Sequence, residues 1–171
     1  MKIAITGGTA GIGKALGDLY EQHGHDVVRL SRRTGHNIRV IPKIADAVEP
    51  CDVFVNNAQA GFAQTELLFE MARRWKGTGK RIVSIGTLLT VHPTCTMEGM
   101  NEYYVQKLAL DAAIRELRMQ RLGIELVLVR PGNIATSADK PSPPARDVHD
   151  WSKFVFDLLQ SKSYMPEINV G

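Results

Sequence analysis

Lys2-Ile3-Ala4-Ile5-Thr6-Gly7-Gly8-Thr9-Ala10-Gly11-Ile12-Gly13 opens the chain. Residues 2–6 are short, apolar and bounded by Gly7-Gly8, the pattern of a buried strand. Ile12, Ala15, Leu16, Leu19 and Tyr20 then recur at helical spacing, and Gly24 supplies a stop. A strand running through a glycine turn into a helix sets the expectation for the rest. The alternation continues: strand 26–31 with Val27, Val28 and Leu30, strand core Val53 to Val55, a helix with Leu67, Leu68, Met71, Ala72 and Trp75 on one face, and strand 81–85. A long helix is predicted from about Glu102 to Leu122 with Gly123 as its cap, then strand 125–129. A last helix carries Trp151, Phe154, Val155, Leu158 and Leu159, with Asp147 as its N-cap, and Ile168 to Val170 form a final strand. The expected fold is α/β: one Rossmann-like domain over residues 1–171, a doubly wound parallel sheet with helices on both faces.

Bulk properties narrow the function. The 171 residues suit one domain, and 44% hydrophobic residues are enough for a core. A net charge of +3 is too small to argue nucleic-acid binding. The basic stretches Arg73, Arg74, Lys76 and Arg115, Arg118, Arg121 read as two solvated helix faces. The two cysteines, Cys51 and Cys95, form no CxxC pair, and no His/Cys cluster has metal-ligand spacing, so no metal is expected. No apolar run approaches a membrane span. The N-terminus enters a strand at once, leaving no room for a signal peptide, and the cytoplasm is the expected location. Pro141-Ser142-Pro143-Pro144 is the one linker-like stretch.

The opening glycines sit where a phosphate loop needs them. They let the backbone approach a pyrophosphate, and the following helix presents free N–H groups and the positive end of its dipole. The spacing is TGxxxGIG, not GxGxxG. Three further motifs follow in order: Asn56-Asn57-Ala58-Gln59 after the Val53 strand, Tyr103-Tyr104-Val105-Gln106-Lys107 on the long helix, and Arg130-Pro131-Gly132-Asn133-Ile134-Ala135-Thr136 after the 125–129 strand. Tyr103 and Lys107, four apart, share one helix face. An ammonium beside a phenol favours the phenolate, so Lys107 is expected to lower the Tyr103 pKa and make it a proton donor and acceptor near neutral pH.

Taken together, these motifs resemble the short-chain dehydrogenase/reductase family over nearly the whole chain, which would be an unusually short member. The resemblance implies a nicotinamide cofactor held by Gly7, Thr9, Gly11, Ile12, Gly13, Ser31, Arg32, Asn57, Ala58, Tyr103, Lys107, Pro131, Gly132, Ile134 and Thr136. It implies a reaction centre of Thr87, Tyr103 and Lys107, with Thr87 in the register of the family's serine and Ser84 in that of a buried Asn. The strand ending Leu30-Ser31-Arg32 has no acid to grip a ribose 2′-OH, and Arg32 suits a 2′-phosphate, so NADP(H) is expected over NAD(H). Asn37-Ile38 stands in for an adenine-contacting segment. The implied reaction interconverts a carbonyl and an alcohol on a small substrate by hydride transfer. Family dimers imply a homodimer or homotetramer through helices 64–76 and 102–122, with Leu67, Leu68, Met71 and Trp75 offered by the first.

The departures from the family pattern are specific. Gln59 replaces a glycine and is expected to project towards cofactor or substrate. Asn133 replaces an apolar or aromatic residue. Sixteen positions separate Thr87 from Tyr103, a few more than usual, so the insertion must loop out somewhere within Leu88 to Asn101. Ser31 to Cys51 is too short for a strand plus a crossover helix. The family's catalytic Asn has no assigned counterpart, although Gln64 lies nearby. These features keep a rival open, an NADP(H)-binding regulatory or scaffold protein that has lost turnover. A sugar-nucleotide epimerase is the weaker alternative, because little chain follows Thr136.

Overall fold

The computed structural model describes residues 1–92, 102–136, 145–161 and 163–171. Its strands are β1 (Lys2–Thr6), β2 (Asp26–Leu30), β3 (Val53–Asn56), β4 (Arg81–Ile85), β5 (Glu125–Pro131), β6 (Ile134–Ala135), β7 (Arg146–Asp147) and β8 (Glu167–Val170). Its helices are α1 (Gly11–Gln22), α2 (Ile41–Val48), α3 (Ala63–Arg74), α4 (Glu102–Met119) and α5 (Val148–Gln160). Six strands form one sheet in the order β2-β1-β3-β4-β5-β8, parallel throughout. The chain winds from β1 outward to β2, then returns past β1 to β3 and on to β8. That reversal leaves a crevice beyond the carboxyl ends of β1 and β3, where open α/β sheets bind ligands.

The sheet's apolar runs are buried on both faces. Ile3, Ile5, Val55, Val83, Val127 and Val129 pack with α1 and α5 around Leu16, Trp151 and Val155. Ala4, Leu30, Phe54, Ile82, Leu126 and Leu128 pack with α2, α3 and α4 around Ile44, Met71, Trp75 and Ile114. The doubly wound expectation is thus met. Asp147 caps α5 as expected, its Oδ1 accepting from the backbone N–H groups of His149 (2.8 Å) and Asp150 (3.1 Å).

As expected, residues 31–51 hold no strand: a 3₁₀ turn (Arg32–Thr34) and the two-turn α2 make the whole crossover, so β2 is a sheet edge. Several other expectations change. Strand β2 ends at Leu30, because the Ser31 side chain accepts from Thr34 N–H (3.3 Å) and its own N–H donates to Thr34 Oγ1 (2.9 Å), a reciprocal cap that starts the turn. Helix α4 stops at Met119, short of Leu122, and Gly123 is not its cap. Arg121 takes the left-handed conformation (φ 48°), while Gly123 packs against Gly77, whose Cα would lie 3.2 Å from any added Cβ. The basic stretches are only partly solvated faces. Arg74 pairs with Asp46, Glu49 and Glu70, and Arg118 donates to the carbonyls of Leu126 and Pro166 and pairs with Glu167. Leu67, Leu68, Met71 and Trp75 are at most 1% exposed inside the core, so they are not an interface. Cys95 and the Pro141–Pro144 stretch lie outside the described residues.

Candidate active site

The glycine loop after β1 is built by backbone. Gly7 has φ 71° and Gly11 φ 51°, conformations that side chains resist. A Cβ on Gly13 would lie 2.5 Å from Gly7 O and 2.7 Å from Asn57 Nδ2, so α1 can close on the loop only with glycine there. Thr6 Oγ1 accepts from the N–H groups of Asn57 (3.0 Å) and Ala58 (3.1 Å), and Asn57 Nδ2 donates to Thr6 O (2.9 Å), stitching β1 to β3 beneath the loop. From β2, Arg29 donates to Gly8 O (2.8 Å) while pairing with Asp18 and Glu21. Helix α1 has Ala10 as its N-cap, with no side-chain cap and no acid in its first turn, which leaves its N–H groups and dipole for an anion.

A cleft of about 770 Å³ runs from this loop. Gly7, Thr9, Ser31, Arg32, Ala58 and Tyr103 of the expected set line it, and so do Asn37 and Ile38. Arg33, His36 and Arg39 add to its basic wall, from the turn and the short segment that stand in place of a strand. Ile12 and Ile134 point elsewhere and pack on the α1/α5 core. Asn57 works beneath the loop. Pro131 is buried, and Gly132 packs against Gly171 and Leu88, where a Cβ would meet Gly171 Cα at 2.9 Å. Thr136 reaches the glycine loop, its Cβ 3.3 Å from the Cβ position of Gly11.

Tyr103 lines the cleft from α4, while Thr87 and Lys107 are buried behind it and do not line the cleft. Thr87 follows β4 and caps a 3₁₀ turn (Leu88–Thr90), its oxygen accepting from Leu89 N–H at 3.4 Å. Its hydroxyl acts on Tyr103 by favouring the phenolate. Lys107 is 3% exposed, with Nζ 5.6 Å from the Tyr103 ring centroid. It donates to Ile85 O (2.8 Å) and Gln64 Oε1 (2.8 Å). Burial pulls its pKa down to about 8, opposed by the Asp111 charge. The expectation that Lys107 depresses Tyr103 is corrected: burial pushes Tyr103 up, and the opposing influence is the Thr87 hydrogen bond. The ammonium is turned into its own scaffold, so the ring feels desolvation first.

Gln64 is the residue that sequence reasoning left unassigned. It is 2% exposed, with Nε2 donating to Asn56 O (2.7 Å) and Ile85 O (3.0 Å) while Oε1 takes Lys107. Its amide therefore joins β3, β4 and α4 at the lysine. Its place in the first turn of α3, after Asn56-Asn57, was the available signal. Gln59 crosses the cleft to Gln106 on α4, Nε2 donating to Oε1. The loop expected within residues 88–101 begins with the turn after Thr87, and residues 93–101 lie outside the described residues. Among the described residues no cluster of His, Cys, Asp or Glu could hold a metal ion, and no helix is long and apolar enough to cross a membrane.

No family model matches the sequence, and no curated protein matches it significantly. Solved structures do match. A Burkholderia cenocepacia short chain dehydrogenase in complex with NADP superposes with a TM-score of 0.77 at 20% identity, over 99% of this chain and 87% of its own. The NADPH-dependent 3-quinuclidinone reductase of Rhodotorula rubra gives 0.76 at 18% identity, over 99% and 89%. A 3-alpha-hydroxysteroid dehydrogenase from Pseudomonas sp. B-0831, complexed with NADH, gives 0.70 at 18% identity, over 99% and 94%. The fold is that of the short-chain dehydrogenases. Within that fold, the glycine loop after β1 and Tyr103 at the start of α4 line one cleft.

Proposed function

We propose that this chain is a short-chain dehydrogenase/reductase that uses NADP(H) to interconvert a carbonyl and an alcohol on a small substrate. One observation carries the reading: Tyr103, with Lys107 Nζ 5.6 Å from its ring centroid, lines the same cleft as the glycine loop. The residues fit a dinucleotide. The glycine loop leaves no room for side chains, the α1 N-terminus is uncapped, and Arg32, Arg33, His36 and Arg39 suit a 2′-phosphate. The pyrophosphate belongs at Gly7, Thr9, Gly11 and the α1 N-terminus. Tyr103 and Lys107 belong at the nicotinamide ribose. When bound, the nicotinamide ring supplies or accepts the hydride.

The protein's own groups then move the proton. In reduction, Thr87 and Tyr103 hydrogen-bond the carbonyl oxygen, and Tyr103 Oη gives up its proton to the far more basic alkoxide. The raised Tyr103 pKa keeps that proton in place at neutral pH. Lys107, fixed by Gln64 and Ile85, has two of its three N–H groups turned into the protein; the third serves the ribose. In oxidation the same groups run in reverse.

The reading extends to a homodimer or homotetramer through α3 and α4, supported by exposed Phe62 and Phe69 at one helix and Val105 and Leu108 on the other. A light-scattering mass of one chain at micromolar concentration defeats that part. The reading also places the protein in a reducing, cytoplasmic setting, in keeping with the free, buried Cys51. The activity is tested by following NADPH oxidation with a panel of aldehydes and ketones. Turnover of one of them is the expected result. Tight NADPH binding without turnover of any favours the regulatory alternative, and absence of binding defeats both.

A further inference from the structure

The buried polar groups that the proposed reaction does not use gather one turn below Lys107. Asp111 follows Lys107 by four residues and Tyr103 by eight, on nearly the same helix face. Its carboxylate is 3% exposed. Oδ2 accepts from Arg130 Nε (2.9 Å) and from Thr90 Oγ1 (2.8 Å). Thr90 closes the turn that Thr87 opens, and its hydroxyl also lies 2.9 Å from Thr87 O. One proton faces two acceptors, a three-centre arrangement. Arg130 is wholly buried and also donates to Glu167 (2.6 Å) and Asn169 (3.2 Å). Gly86, just before Thr87, makes room for the pair: a Cβ there would lie 3.0 Å from Leu128 and 3.4 Å from both Arg130 Cγ and Asp111 Oδ1.

This ion pair is poorly built for stability. Asp111 Oδ1 and Arg130 Nη2 are buried with no hydrogen-bond partner among the described residues. Apolar residues of similar volume often serve a buried pair's place as well or better. What the pair does hold is register, because it joins the turn after β4, helix α4 and strand β5 at one carboxylate. Its charge also favours the Lys107 ammonium against burial.

We propose that Asp111 is a positioning residue: anchored by Arg130 and acting through Thr90, it locks the Thr87 turn onto the α4 face that carries Tyr103 and Lys107. This rests on the reading of those three groups as the reaction centre, but the coupling itself is measurable without a substrate. The readout is the Tyr103 titration, followed in the full chain by ¹³Cζ-tyrosine NMR, because the Thr87 hydrogen bond lowers that pKa and a merely structural role leaves it alone. Thr90→Val should raise the Tyr103 midpoint by about 0.5 pH unit as Thr87 drifts off, whereas Thr90→Ser, which keeps the hydroxyl, should match the parent. Asp111→Leu combined with Arg130→Met removes both charges without stranding either, and should reproduce the upward shift. Thr90→Val changes no charge, so an upward shift there reports positioning and not electrostatics. An unchanged or lowered midpoint in both Thr90→Val and the paired variant overturns the proposal. An upward shift in a chain that turns over no carbonyl supports the coupling and defeats only the enzymatic reading.

Discussion

The two ends of the cleft are held in shape by different means. At the phosphate loop the shaping is done by backbone: Gly7, Gly11 and Gly13 by what they lack, Thr6 and Asn57 by hydrogen bonds to main-chain groups. Around Lys107 and Asp111 it is done by side chains from three segments: Gln64 reaching in from α3 to Lys107, and Thr90 from the turn after β4 and Arg130 from β5 both reaching Asp111. The first kind of site tolerates no added atoms; its glycines lie close in sequence, and Asn57 joins them from the end of β3. The second depends on partners that meet only in the folded chain, and each change strands a buried group. If this contrast is right, the two ends should fail independently.

The largest effect is expected at the side-chain end. Tyr103→Phe removes one hydroxyl, and turnover of an identified carbonyl should fall about 10²- to 10⁴-fold. NADPH affinity, read by nicotinamide fluorescence, should stay nearly constant. A variant as fast as the parent breaks the mechanism. At the backbone end, Gly13→Val forces atoms into the space 2.5 Å from Gly7 O. NADPH affinity should drop about a hundredfold, or ~2.7 kcal/mol, while circular dichroism still reports a folded chain. Unchanged affinity would mean that the loop does not hold the pyrophosphate.

Burial of Lys107 gives a pH test. Its pKa of about 8 lies below the ordinary 10.5. Between those values the unfolded chain holds a proton that the native chain has released, so native stability gains as pH rises. Below about 8 both states are charged and the cost of burying the ammonium is fully present. Against Lys107→Met, which shares every other titration, the parent should therefore gain up to about 3 kcal/mol across that window. A flat difference in urea midpoints from pH 7.5 to 10.5 would show that the lysine is better solvated than its surroundings suggest.

The smallest effect sharpens the cofactor end. Ser31→Asp with Arg32→Ser places an acid where a ribose 2′-OH is gripped and removes a guanidinium from the basic wall. The ratio of NADPH to NADH affinity should fall about tenfold or more, equivalent to ~1.4 kcal/mol. Arg33, His36 and Arg39 remain on that wall and keep the loss partial. A ratio that does not move would hand the 2′-phosphate to those three residues.

The sequence by itself determined the elements of the sheet and the loop at its switch point, because strand runs, helical spacing and glycines are local signals. It also placed Tyr103 and Lys107 on one helix face, since a four-residue spacing is enough for that. Local signals misjudged what depends on packing. Leu67, Leu68, Met71 and Trp75 read as an apolar face, and only the folded chain decided which surface that face meets. Ser31 read as the end of a strand until Thr34 capped it into a turn. The partners of Lys107 and Asp111 were hidden for the same reason. Gln64 and Lys107 are 43 residues apart, and Asp111 and Arg130 are 19 apart. No spacing in the chain announces such pairs, because they exist only where strand order brings α3, α4 and β5 to one buried point.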